Sequence, residues 1–128
     1  MVAYLSRHRA CIVCSSGKAG ASAVLVWYRN VKLEVDCLVP RWADVTYQIE
    51  ENPRVLLIVP AGRSGGLRWL EYRGMARPLV SPDWRRLLSA GTSYARPENR
   101  YLAIRVTPER LDLVDESRGW GARETLEV

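Results

Sequence analysis

Residues 31–39, Val31-Lys32-Leu33-Glu34-Val35-Asp36-Cys37-Leu38-Val39, alternate with a period of two. Val31, Leu33, Val35, Cys37 and Val39 share one face, and Lys32, Glu34 and Asp36 the other. This pattern belongs to an antiparallel strand with one face in a core and the other toward solvent. Upstream, residues 21–28 form a nearly continuous apolar run, expected to join the first strand through a tight connection at Arg29-Asn30. A further strand around residues 9–15 turns at residues 16–20, so three strands form a meander. Downstream, residues 55–59 are short and wholly apolar, as expected of a strand covered on both faces. Their partner spans about residues 67–80, with Leu70, Tyr72, Gly74 and Ala76 on one side and Glu71, Arg73 and Arg77 on the other. Leu102, Ile104 and Val106 continue the theme. Thr107-Pro108 is expected to break it before Leu111 and Leu113 alternate with Asp112.

Two short helices interrupt the strands. The first is expected over residues 42–51, with Trp42, Val45 and Ile49 on one face, Glu50 and Glu51 outward, and Asn52-Pro53 as its stop. The second opens with Ser81 as N-cap, Pro82 and Asp83, carries Trp84, Leu87 and Leu88 as its apolar stripe, and stops at Gly91. There is no repeat and no linker. The 128 residues read as one domain, 1–128, with a core of about 9–115 and an acidic tail over 116–128. The fold class is mainly β: six to seven antiparallel strands, enough to close into a barrel, with two short helices in the connections.

Charge divides along the chain. Residues 1–108 carry 16 Lys+Arg against 8 Asp+Glu, whereas residues 109–128 carry 3 against 6. The arginines are scattered along alternating strands with no run of four, which argues against a nucleic-acid footprint despite a pI near 9.4. No apolar run reaches the roughly 18 residues of a membrane span, and no export signal opens the chain. Three cysteines, an odd number, fit reduced thiols and a cytoplasmic setting. His8, Cys11, Cys14 and Cys37 have the residue types of a zinc site. In a strand, however, Cys11 and Cys14 point to opposite faces, and buried inert thiols are expected instead of metal ligands. Gly62-Arg63-Ser64-Gly65-Gly66 matches the spacing of a hydrolase nucleophile loop, but strands on both sides make it a hairpin loop and not a catalytic site. Trp120, between Gly119 and Gly121, is expected to anchor the tail.

The order of elements and four short motifs resemble the split barrels related to pyridoxamine 5′-phosphate oxidase. The motifs are Val26-Trp27-Tyr28 ending the second strand, Asn52-Pro53-Arg54-Val55 entering the fourth, Gly74-Met75-Ala76-Arg77 before the Pro-Asp-Trp helix, and the closing Val106-Thr107-Pro108-Glu109-Arg110-Leu111. The similarity spans residues 9–115. It implies an antiparallel, Greek-key-like split barrel, a homodimer, and one FMN per subunit in a groove between the barrels; other members use a deazaflavin or bind haem. Hydride transfer would then be the work of the flavin with a small-molecule substrate, and no side-chain acid/base pair is required. The implied cofactor-binding residues are Trp27, Tyr28, Val39, Pro40, Arg41, Trp42 and Asp44. Arg41 matches the family's basic phosphate ligand. Asp44 stands where a Lys is common and Val39 where a Thr or Ser is common, so a non-catalytic member with a depleted phosphate site and another ligand is the rival reading. As an acid in the first turn, Asp44 also suits a helix start.

Overall fold

In the computed structural model, which describes residues 1–62, 65–88 and 95–128, seven strands form one antiparallel sheet. They are β1 (Ala10–Gly17), β2 (Gly20–Val31), β3 (Glu34–Pro40), β4 (Arg54–Pro60), β5 (Arg68–Pro78), β6 (Tyr101–Asp115) and β7 (Arg123–Glu127). Their order is β3-β2-β1-β4-β5-β6-β7, and β3 pairs with β6 as well, which closes six strands into a barrel and leaves β7 outside. Three short helices are attached: α1 (Val2–Arg7), α2 (Val45–Glu51) and α3 (Trp84–Leu87). The mainly β split-barrel reading is therefore correct, with one more helix than expected.

The pleat fills the barrel. Cys11 and Val13, Val26 and Tyr28, Val35, Cys37 and Val39, Val55, Leu57 and Val59, Leu70 and Tyr72, and Ile104 and Val106 all point inward and are buried. α1 plugs one end: the buried Tyr4 hydroxyl donates to Val59 O at 2.6 Å, and the Tyr28 hydroxyl to Leu5 O at 2.7 Å. A buried hydroxyl left unpaired would cost about 1–3 kcal/mol, so these two bonds fix how the N-terminal helix sits.

Several local expectations change, each for a physical reason. β2 runs through Arg29-Asn30, and the hairpin turns at Lys32-Leu33 instead, with Lys32 at φ +54° and Asn30 Nδ2 donating to its carbonyl. Val31, at this tip, is thus exposed and not core. Residues 55–59 are buried on one face only, with Leu56 and Ile58 half-buried on the outside. Thr107-Pro108 does not interrupt β6. The register shifts there, Arg73 facing Arg110 and Gly74 facing Pro108, so a bulge at Glu109 absorbs the missing proline donor. Asp36 and Asp112, expected to face solvent, are fully buried on the outside of the barrel, Asp36 with Arg86 of α3 and Asp112 beside β7. Trp42 lies before α2, 80% exposed, and takes no part in its buried face. Asp83, not Ser81, caps α3, accepting from Arg86 N at 3.3 Å. The tail forms β7 against β6, while Trp120 is 97% exposed and anchors nothing. Arg63, Ser64 and Gly91 lie outside the described residues.

Candidate functional site

Strand parity sorts the residues implied by the resemblance. Along β2, Val26 and Tyr28 point into the barrel while Leu25 and Trp27 point out; along β3, Val39 points in while Leu38 and Pro40 point out. Tyr28 and Val39 are 1% and 0% exposed, so neither can touch a ligand on the surface. Burial raises the Tyr28 pKa, and so do Cys11, Tyr4 and Cys37, with Arg9 opposing. Its hydroxyl stays a neutral donor. Trp27 and Pro40, by contrast, share an apolar cleft of about 230 Å³ with Ala10, Leu25, Leu38 and Tyr101.

Arg41 and Trp42 lie just past β3, where the chain leaves the barrel. Arg41 lines a second cleft of about 310 Å³ on the side of α2, with Thr46, Tyr47, Glu50, Arg77 and Leu102. Its Nε donates to Glu98 O at 2.7 Å and its backbone N–H to Arg100 O at 2.9 Å, which holds the side chain against the turn before β6. The Pro40-Arg41 step therefore joins the two clefts. Around it, Leu25, Trp27, Trp42 and Tyr47 are all more than half exposed. Asp44 is exposed at the N-cap of α2, and its side chain makes no capping bond; only its carbonyl serves the helix, accepting from Tyr47 and Gln48. A carboxylate at this point opposes a phosphate, and the Thr46 hydroxyl is already donated to Ala43 O at 2.7 Å. Apolar walls for a planar ring are thus present, and two arginines, Arg41 and Arg77, stand beside them, Arg77 within 3.9 Å of Glu34. Where the resemblance implies a phosphate, Asp44 and Val39 stand in place of the Lys and the Thr or Ser.

Two features were missed in the sequence. A larger groove of about 530 Å³ lies on the other side of the barrel, lined by Cys14, Ser16, Asn52, Arg54, Arg73 and Arg110, among others. Its three arginines meet three carboxylates: Arg54 with Glu109 at 2.9 Å, Arg73 with Glu71 at 3.4 Å and Asp112 at 3.3 Å, and Arg110 with Asp112 at 3.0 Å. The groove is electrostatically balanced. The Asp36 cluster was also missed, because alternation assigned Asp36 to water. Cys11 and Cys14 do face opposite sides, Cys11 against Cys37 in the core and Cys14 toward the groove. The Cys37 thiol is pushed up by its hydrogen bond with Cys11 and by burial, which keeps it protonated.

No protein-family model and no curated protein matches this sequence, but solved structures do. A protein from Clostridium acetobutylicum related to general stress protein 26, of the pyridoxinephosphate oxidase family, superimposes with a TM-score of 0.75 at 13% identity, over 98% of this chain and 90% of that one. The fold is that of the pyridoxamine 5′-phosphate oxidase-like split barrels. Within that fold, an FAD-binding protein from Mesorhizobium loti matches at TM-score 0.65 and 16% identity, over 85% and 87% of the two chains. A haem-binding protein from Mycobacterium smegmatis matches at TM-score 0.72 and 13% identity, over 98% of this chain and 56% of its own length. Among the described residues, no helix is long and apolar enough to cross a membrane.

Proposed function

We propose that this split barrel is a cytoplasmic homodimer that binds FMN in the groove between its two copies and acts as a small oxidoreductase. The observation that carries the reading is the exposed apolar surface around Pro40-Arg41. Clefts of about 230 and 310 Å³ fall below or at the bottom of the range of about 300–1,000 Å³ usual for ligand sites, and exposed Leu25, Trp27, Trp42 and Tyr47 surround them. A second copy of this surface would cover those side chains and complete one pocket from two halves. The Trp27 face would hold the ring and Arg41 the phosphate. A bound flavin would supply hydride transfer to a small-molecule substrate; the chain's own part is to orient it and exclude water.

Purified protein tests this directly. Absorbance in the flavin bands, or recovery of them on adding FMN, supports the reading, and a protein that stays colourless after reconstitution refutes it. Substituting alanine at both Trp27 and Trp42 is expected to shift the sedimentation profile from dimer toward monomer without unfolding the chain, because both rings are more than half exposed in the single copy.

A second reading has its own support. Val39 is wholly inside the core and Asp44 is exposed at the phosphate end, so the site suits a ligand that needs less phosphate recognition, such as haem or a deazaflavin. A Soret band in the same spectrum identifies the first of these.

A further inference from the structure

The groove of about 530 Å³ falls within the range of about 300–1,000 Å³ usual for small-molecule sites, and the flavin reading makes no use of it. Part of its floor is one row across the sheet. Register sets Cys14 opposite Leu56, Leu56 opposite Arg73, and Arg73 opposite Arg110, at roughly 5 Å per strand. The row is therefore apolar at its β1–β4 end and cationic at its β5–β6 end. Burial first, and Cys11 second, push the Cys14 thiol above its ordinary pKa, so it stays neutral and belongs to the apolar half. Along the next part of the sheet, Arg54 of β4 reaches across β5 to Glu109 of β6 and bounds the groove there.

The cationic half is held from behind. Asp112, fully buried, accepts from Arg73 Nη1 at 3.3 Å and from Arg110 Nε at 3.0 Å, and Glu71 accepts from Arg73 Nη1 and Nη2 at 3.4 Å. These two acids fix the guanidiniums without lining the groove; among its described lining residues the one carboxylate is Glu109. Both signs keep unused capacity on the groove side. Arg54 donates to Glu109 through Nη1 alone and keeps Nε and Nη2, Arg110 keeps Nη1, and Glu109 accepts through Oε1 and keeps Oε2, none of these atoms having a partner among the described residues. Donors and an acceptor thus stand side by side, next to an apolar patch, in a groove whose three arginines are matched by three carboxylates.

We propose that this groove binds a free α-amino acid with an apolar side chain, its carboxylate on Arg54 and Arg110, its ammonium on Glu109 Oε2, and its side chain over Leu56 and Cys14. An α-amino acid carries its two charges on either side of one carbon, which matches an arginine and a glutamate already in contact at 2.9 Å. Its zero net charge preserves the balance of the groove, whereas a lone acid or a lone amine upsets it. Charge-assisted hydrogen bonds to both ends, made by side chains that buried or half-buried acids hold in place, supply the recognition. The site lies across the barrel from Trp27 and Arg41, and it stands whether or not the protein takes a flavin.

Calorimetric titration of the full-length chain with leucine, at low salt, tests it. Isocaproate lacks the ammonium, leucinamide the carboxylate and glycine the side chain, and each is expected to bind about tenfold or more weakly than leucine. R54Q and E109Q should each weaken leucine by a similar factor, and the distant R118Q should leave it unchanged. Both groove substitutions fall on an exposed ion pair, which adds little to stability, so the fold is retained. E109Q carries the sharpest sign: it should weaken leucine while isocaproate binds as well as to wild type or better, because the change removes an acid beside the carboxylate. No saturable binding of leucine, or a wild-type affinity for it in R54Q or E109Q, overturns the site. Equal affinity for leucine and isocaproate overturns the ammonium contact, for leucine and leucinamide the carboxylate contact, and for leucine and glycine the apolar half. FMN titrated in parallel separates this site from the flavin reading. Leucine binding without FMN binding refutes the flavin reading alone, FMN binding without leucine binding refutes this site alone, and displacement of leucine by FMN overturns the claim that the two sites are distinct.

Discussion

Replacing Asp36 by Asn probes what holds α3 to the barrel. The carboxylate is fully buried; Oδ1 accepts from Arg105 Nε at 2.7 Å, and Oδ2 accepts from Arg105 Nη2 at 2.9 Å and from Arg86. Removing one partner of a buried ion pair costs about 3–5 kcal/mol, mostly for the charge left behind. Here the side chains left behind, Arg105 and Arg86, are 26% and 34% exposed, so water recovers part of that cost. About 2–3 kcal/mol is expected, or about 8–12 °C in melting temperature for a domain of this size. The pH dependence has a definite sign. Burial alone would raise the Asp36 pKa, but hydrogen bonds from Arg105 and Arg86, with their charges, outweigh it and hold the group below its ordinary value. Between the folded and unfolded pKa the native state therefore binds fewer protons. Its contribution is complete above the unfolded value of about 4 and is lost as pH falls through the folded one. Since Asn does not titrate, the gap between wild type and D36N should narrow as melts followed by circular dichroism are carried from neutral pH into the acid range. A gap under about 3 °C at neutral pH, or one that stays constant down the acid limb, refutes the reasoning.

Other substitutions separate packing from binding. A Cβ on Gly74 would sit 2.3 Å from Thr107 O and 2.9 Å from Val106 Cγ1 at the β6 bulge, so G74A should cost about 1–3 kcal/mol in denaturant titrations. Y28F removes the hydroxyl that holds Leu5 O. It should lower stability by about 1–2 kcal/mol and speed amide exchange in α1 while leaving FMN affinity unchanged; lost FMN affinity would place Tyr28 at the site after all. D44K exchanges an exposed acid for a cation at the start of α2 and should tighten FMN binding several-fold by fluorescence titration. No gain would show that the phosphate does not lie there.

The sequence itself determined the barrel. Alternation along residues 31–39 set which residues of β3 form the core, the apolar runs marked the six barrel strands but not β7, and Asn52-Pro53 stopped α2 where it ends. These are local consequences of a period-two pleat and a fixed proline φ, readable from neighbours alone. The candidate site was half readable. Trp27, Pro40 and Arg41 do line the two clefts, but residues taken consecutively from a strand must alternate between surface and core, which is why Tyr28 and Val39 fell inside. What lies across a strand pair was decided only by tertiary structure. Alternation assigns Asp36 and Asp112 to an outer face, and it carries no information about what covers that face. α3 and β7 bury them by bringing the Arg86 guanidinium and the Thr125 hydroxyl from 50 and 13 residues away. The register sets Asp36 between Arg29 and Arg105, yet the carboxylate bonds Arg105 and Arg86, and Arg29 donates to Tyr28 O instead. Charge balance on this surface is therefore a property of the closed barrel, because it depends on which distant residues the sheet sets side by side.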